Sequence, residues 1–164
     1  MTMEKSTKME GYFVFDQPVN ENEILRLAKE ITAARLIRAG PQVTSSELAR
    51  DFLGHLIGSY EREVFVVIFL DVRHRIIAYE ELFQGTINCT AVYPREIVKR
   101  VLFHNAAAVI LAHNHPSGDP IPSSSDQTLT ARLKDALALI ETPVLDHLII
   151  AGSKWVSFAD QGLL

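Results

Sequence analysis

From Val64 to Leu70 the chain runs for seven residues without a polar side chain, and most of them are β-branched or aromatic. The run is too short for a buried helix and is bounded by charge, Glu61-Arg62-Glu63 before it and Asp71 after it, so it reads as a central strand. Asp71-Val72-Arg73-His74-Arg75 then forms a turn, and Ile76 to Phe83 a partner strand that ends at Gln84-Gly85, which makes a hairpin. Thr86 to Val92 is a third β-prone segment, and Ala106 to Leu111 a second uninterrupted apolar run. Leu148 to Ala151 and Trp155 to Phe158, around Gly152-Ser153, give a last hairpin.

Helical spacing fills the intervals. Asn20 with Glu23 three residues on caps a helix carrying Ile24, Leu27, Ala28, Ile31 and Ala34, which Gly40-Pro41 stops. Thr44 with Glu47 starts a second, whose apolar face is Leu48, Phe52, Leu56 and Tyr60. Pro94 suits the first turn of a third over 94 to 105, with Ile97, Val98, Val101 and Leu102 on one side. Leu129, Leu133, Ala136, Leu137 and Ile140 mark a fourth. Without a regular βαβ repeat, the class is α/β or α+β, a mixed β-sheet flanked by helices. Residues 1–41 read as an N-terminal arm and helix, with one short β-prone run at Tyr12-Phe13-Val14-Phe15, and 42–164 as the main domain.

A chain of 164 residues can bury a real core, and none of its uncharged runs approaches membrane-spanning length. No apolar stretch follows the charges of Met1-Thr2-Met3-Glu4-Lys5-Ser6, so the expected location is the cytoplasm and no membrane partner is expected. The single cysteine, Cys89, leaves no intramolecular disulfide and no thiolate-rich metal site; any metal must rest on imidazole and carboxylate. Cys89 has no signature of a catalytic thiol and reads as a buried, inert one. The net charge of −4 does not advertise a nucleic-acid binder, and the basic edge Arg26, Lys29, Arg35 and Arg38 of the first helix reads first as a solvated face.

Chemistry collects at one junction. The run Ala106 to Leu111 leads into His113-Asn114-His115-Pro116-Ser117-Gly118-Asp119-Pro120-Ile121-Pro122-Ser123-Ser124-Ser125-Asp126. If the strand continues through His115, the two histidines stand two residues apart and project to the same face. Pro116, Gly118, Pro120 and Pro122 fit a stiff turn back toward the strand end. Ser123 with Asp126 reads as a helix start, and a carboxylate there has a fixed backbone, so Asp126 can serve as a third ligand while Ser123 caps. Two His and one Asp leave the fourth position of a tetrahedral zinc to water, as in catalytic rather than structural sites. Each residue alone has a plainer reading, a satisfied histidine or a simple cap; their combination at a strand end points to metal. Asp119 is the rival third ligand. His104 could pack or support a ligand, and Asp146-His147 reads as structural.

His113-x-His115, seven intervening residues and Ser123-x-x-Asp126 resemble the signature of the MPN-plus or JAMM metalloproteases, the family that includes zinc deubiquitinases. Gly85-Thr86-Ile87-Asn88, Tyr93-Pro94-Arg95-Glu96, the run from His104 to Asp119 and Leu145-Asp146-His147-Leu148 resemble its bacterial RadC-like branch, over roughly residues 42–164. Residues 1–41 carry no Gly-x-Gly hairpin of the helix-hairpin-helix segment usual in that branch, so the likeness is to a short form. The resemblance implies an MPN/JAMM, cytidine-deaminase-like architecture and one Zn²⁺ per chain on His113, His115 and Asp126, the family pattern favouring Asp126 over Asp119. It further implies a general base from the first core strand, for which Glu63 is the best match and Glu61 the fallback, and a Ser123 hydroxyl directed at the tetrahedral intermediate.

The expectation is a zinc-dependent metallohydrolase, a peptidase or isopeptidase acting on a protein or peptide. The alternative is a DNA repair or recombination factor, as a nuclease or a non-catalytic accessory; a single His₂Asp set is not the oxygen-rich or two-metal site a nuclease favours. Sheet edges and an amphipathic first helix would permit a homo-oligomer.

Overall fold

The computed structural model describes residues 6–9, 12–15, 18–39, 43, 45–84 and 92–164. Near the N-terminus β1 (Ser6–Met9) and β2 (Tyr12–Phe15) pair antiparallel, so the short run at 12–15 is a strand with a partner that the sequence had not announced. In front of α1 (Glu21–Ala39), the Glu23 amide donates to Asn20 Oδ1 at 2.9 Å and the Asn20 amide to Glu23 Oε2 at 3.1 Å, the reciprocal cap expected from their spacing. The start of α2 (Ser46–Ile57) corrects the expected Thr44 cap: Ser45 holds the capping position in extended conformation without a capping bond from its side chain, and Thr44 lies outside the described residues. Because α2 ends at Ile57, Tyr60 leaves the helical repeat, and its hydroxyl donates to Glu81 at 2.9 Å.

Five strands form the main sheet: β3 (Val64–Leu70), β4 (Ile76–Gln84), β5 (Ala108–Asn114), β6 (Val144–Ala151) and β7 (Lys154–Ser157), in the order β4-β3-β5-β6-β7. β5 and β6 run parallel across α4 (Ser124–Ala138), and the other pairs are antiparallel, so the sheet is mixed and the fold is α+β. Both expected hairpins are present. In the first, Asp71 Oδ1 accepts the amides of Arg73 and Arg75 at 2.8 and 2.9 Å while His74 takes a left-handed φ of 57°. The Thr86–Val92 segment, with Cys89 and the Gly85–Asn88 part of the resemblance, falls outside the described residues except for Val92.

The lack of polar residues in β3, and in β5 as far as Ala112, follows from helices on both faces of the sheet. Val64, Val66, Ile68 and Leu70 pack with Ile110, Ala112 and the α2 residues Phe52, Leu53 and Leu56. Phe65, Val67 and Phe69 point the other way, with Val109 and Leu111, into Ile97 and Val101 of α3 (Pro94–His104) and Leu133 and Leu137 of α4. Full burial of a leucine side chain contributes roughly 2 kcal/mol, so Leu133 and Leu137 anchor the helix whose first turn carries Asp126. Asn105 closes α3 at φ 50°, and the Ala106 amide still bonds back to Val101 O at 3.1 Å. β5 therefore begins at Ala108 instead of Ala106. It ends at Asn114, yet the His115 amide donates to Ile150 O at 2.8 Å, so both histidines keep strand-like direction at the C-terminal end of the parallel pair.

Candidate metal centre

His113 and His115 leave β5 on the same face, as their spacing required, and their Nε2 atoms lie 3.0 Å apart. Asp126, third residue of α4, closes the triangle, with Oδ1 3.4 Å from His113 Nε2 and Oδ2 3.6 Å from His115 Nε2. Among the described residues this is the one group of three or more such side chains spaced to hold a metal ion. Donors about 2.0–2.1 Å from a tetrahedral zinc stand ~3.3 Å from one another, and the three observed separations bracket that value. The residues present thus fit a small cation bound by imidazole and carboxylate.

The loop between the ligands is held from within. His115 Nδ1 donates to the Asp119 carbonyl at 2.8 Å; a carbonyl can only accept, so His115 keeps its Nε2 lone pair turned toward His113 and Asp126. Asp119 contributes that backbone oxygen, while its carboxylate accepts the Ile121 amide at 3.1 Å and stays out of the cluster. At α4 the Ser123 amide and hydroxyl both donate to Asp126 Oδ2 at 2.7 Å, and the Asp126 amide donates to Ser123 Oγ at 3.1 Å. Ser123 is the expected cap, and its hydroxyl proton is engaged by Asp126.

Burial opposes the charge on Asp126, but its close contacts with the His113 and His115 rings outweigh it and hold the carboxyl far below its usual range. The same carboxylate raises His115, against a smaller opposing effect of burial, and the Glu63 charge adds to the rise. Behind His113 stands a second histidine. His147, fully buried on β6, places Nε2 2.9 Å from His113 Nδ1, and its Nδ1 lies 2.6 Å from Thr130 Oγ1. Burial first, then the neighbouring His113, keeps His147 neutral, well below the ordinary imidazole value. Asp146 beside it accepts the His147 and Ala159 amides at 2.7 and 3.0 Å and the Ser157 hydroxyl at 2.7 Å, a structural duty that ties β7 to β6.

Glu63 immediately precedes β3. The pairing of Phe65 with His113, continued two residues along each strand, sets Glu63 opposite His115, and strand alternation puts it on the face of Phe65 and both histidines. Glu61 is exposed and Glu63 half-buried. Asn114 fixes this strand entrance: its Oδ1 accepts the Val64 amide at 2.8 Å, and its Nδ2 donates to the carbonyls of Tyr60 and Arg62 at 3.2 and 3.0 Å. His104 is remote from the cluster, its Nε2 2.7 Å from Glu80 and its ring 4.6 Å from that of Phe69, so it packs. On α1, Arg26 pairs with Glu30 at 2.8 Å and Lys29 lies 4.5 Å over the Tyr60 ring.

Reading the sequence alone missed Thr130 and the use of His147, and gave Asn114 no role. Thr130 is four residues after Asp126, a one-turn spacing that could have flagged it; nothing local marks His147 as a neighbour of His113.

Residues 43–163 match the model of the RadC-like JAB domain. Two proteins of Vibrio cholerae named UPF0758 are 52% and 47% identical to this chain, over 90% and 93% of it and 93% and 95% of their own lengths. A UPF0758 protein of Methylibium petroleiphilum is 51% identical over 86% of this chain and 63% of its own length. No described helix is long and apolar enough to cross a membrane. With a mixed sheet between two helical layers and a His-His-Asp cluster inside the matched span, this chain belongs to the RadC-like JAB domain family.

Proposed function

We propose that the chain is a zinc-dependent hydrolase of peptide or isopeptide bonds, with its catalytic unit over residues 42–164 and residues 1–41 as an appended arm. His113 Nε2, His115 Nε2 and one Asp126 oxygen would hold the ion, and two imidazoles with a carboxylate suit zinc. A zinc ion there would supply a Lewis acid and a water whose pKa is lowered to about 7. Glu63 takes a proton from the attacking water and returns it to the leaving nitrogen, so the carboxylate ends the cycle as it began. Ser123, once its hydroxyl turns from Asp126, donates to the oxygen on which negative charge develops. The observation that carries the reading is the convergence of three side chains of metal-ligating type, the two Nε2 atoms 3.0 Å apart and each within 3.4 or 3.6 Å of one or the other Asp126 oxygen, near the edge length of a tetrahedral zinc.

Metal analysis of the purified protein should return about one zinc per chain, lost in a His113→Ala variant that keeps its fold. A folded wild type that takes up no zinc would overturn the site. Profiling cleavage of peptide and isopeptide substrates by wild type and Glu63→Ala separates the next step. Identical profiles would remove Glu63 from the mechanism, whereas duplex DNA binding that weakens steeply with salt, in a protein that cleaves neither substrate, would favour a nucleic-acid role.

A further inference from the structure

We infer that Thr130 and His147 are positioning residues that impose on His113 the tautomer able to bind a metal. The assignment follows from counting protons along a buried chain. The Thr130 hydroxyl donates to the main-chain carbonyl of Asp126 at 2.6 Å, and that carbonyl can only accept. A hydroxyl has one proton, so the contact of Thr130 Oγ1 with His147 Nδ1, also 2.6 Å, requires His147 to donate from Nδ1. His147 Nε2 is then a lone pair. At 2.9 Å it accepts from His113 Nδ1, and a neutral His113 is left with an unprotonated Nε2 facing the cluster.

The direction matters because a different one is open to an isolated pair of histidines. With the proton on His113 Nε2, that atom would donate to His115 Nε2 at 3.0 Å and the two rings would satisfy each other without any ion. For a neutral His113 the chain from Thr130 forbids this arrangement. It leaves two imidazole lone pairs and a carboxylate pointed at one another, an arrangement that a cation relieves. Thr130 and His147 are both 0% exposed, so solvent cannot substitute for either link. The chain also begins on the backbone of one ligand, Asp126, and ends on the ring of another, so the first turn of α4 and the end of β5 are set relative to each other by it. Support of this kind behind a ligand changes metal affinity on the order of 10- to 100-fold.

The inference rests on the metal reading of the cluster, and its test separates the two. Nitrogen-15 spectra of the histidines in the metal-free wild type should show His113 and His147 both as the Nδ1–H form. His113 as the Nε2–H form would overturn the inference without any variant being made. Zinc affinity, measured by competition with a chelator, should fall on the order of 10- to 100-fold in Thr130→Val, which keeps the shape and removes the hydroxyl, and should stay near wild type in Thr130→Ser. In the Thr130→Val spectrum the single tautomer of His113 should give way to a mixture, a change that mere loosening of α4 would not produce. His147→Gln retains an acceptor for His113 Nδ1 and should bind zinc more tightly than His147→Leu. Wild-type affinity and an unchanged tautomer in Thr130→Val would refute the inference. A wild type that takes no zinc but shows His113 as Nδ1–H would instead refute the metal reading and leave the hydrogen-bond chain standing.

Discussion

Replacing Asn114 by alanine should loosen the strand entrance that carries Glu63, by an amount the hydrogen bonds set. Asn114 is 2% exposed, and its amide makes three bonds across 50 to 54 residues of sequence, to Val64, Tyr60 and Arg62. The bond from the Val64 amide is buried, and a buried donor left without a partner costs about 1–3 kcal/mol. The Tyr60 and Arg62 carbonyls are only partly buried and can turn to water, so each loses about 0.5 kcal/mol, the low end for a hydrogen bond. Together these give a loss of about 2–4 kcal/mol, which for a chain of this size lowers the melting temperature by roughly 10 °C. Amide exchange supplies the local readout: Val64 should lose protection beyond what the global destabilisation explains, because its acceptor is gone. Asn114→Asp should be at least as damaging at neutral pH, since a carboxylate still accepts from Val64 but presents an acceptor to two carbonyls. An Asn114→Ala protein that melts with the wild type and protects Val64 equally would show that the amide does not hold the segment.

The Glu80 carboxyl is held below its usual value chiefly by its hydrogen bond from Arg100, burial opposing and His104 assisting. A depressed carboxyl contributes stability that is present above its ordinary pKa near 4.5 and lost as pH falls through its lower folded value. Glu80→Gln should therefore melt below wild type at pH 7, with the gap closing below about pH 4.5; a gap independent of pH would mean that charge is not what Glu80 contributes. Burial, and then the bond to Glu81, raise the Tyr60 phenol to about 12 from 10. Its contribution is complete below pH 10 and fades as pH climbs toward 12, so Tyr60→Phe should flatten that part of the alkaline stability profile, as followed by tyrosine absorbance and chemical denaturation. An equally steep fall in the variant would assign the alkaline loss elsewhere.

How far the sequence could be read depended on whether a contact is local. Asn20 with Glu23, Ser123 with Asp126, Pro94 at a helix start and the two apolar runs are each written within a few residues, and the structure has them as caps, a first turn and central strands. His113 and His115 on one face needed only strand alternation. His147 could not be found that way. Across the parallel β5–β6 pair it stands in register with Leu111, while His113 stands opposite Ile149, so the two rings meet on a diagonal that exists only once that register is set. Asn114 was hidden for a related reason, because it lies between His113 and His115 and works on the far strand.

Glu63 is the case where register decides which side chain faces the His-His-Asp cluster. β3 and β5 are antiparallel with Phe65 opposite His113, and this pairing, continued along the strand, places 63, not 62, on the face of the His-His-Asp cluster. A slip of one residue would turn Arg62 inward and Glu63 to the α2 side. The apolar runs resist that slip, since it would also exchange Phe65, Val67 and Phe69 with Val64, Val66 and Ile68 between two cores of different shape. Parity cannot separate Glu63 from Glu61, which shares its face. What separates them is reach: Glu61 is exposed two residues farther from the strand, whereas Glu63 is half-buried opposite His115 and its charge already acts on that ring. If the proposed mechanism holds, Glu63→Gln should abolish cleavage while zinc stays bound, and Glu61→Gln should change neither. Loss of cleavage in Glu61→Gln alone would move the base to that position and imply that the strand entrance folds inward when substrate binds.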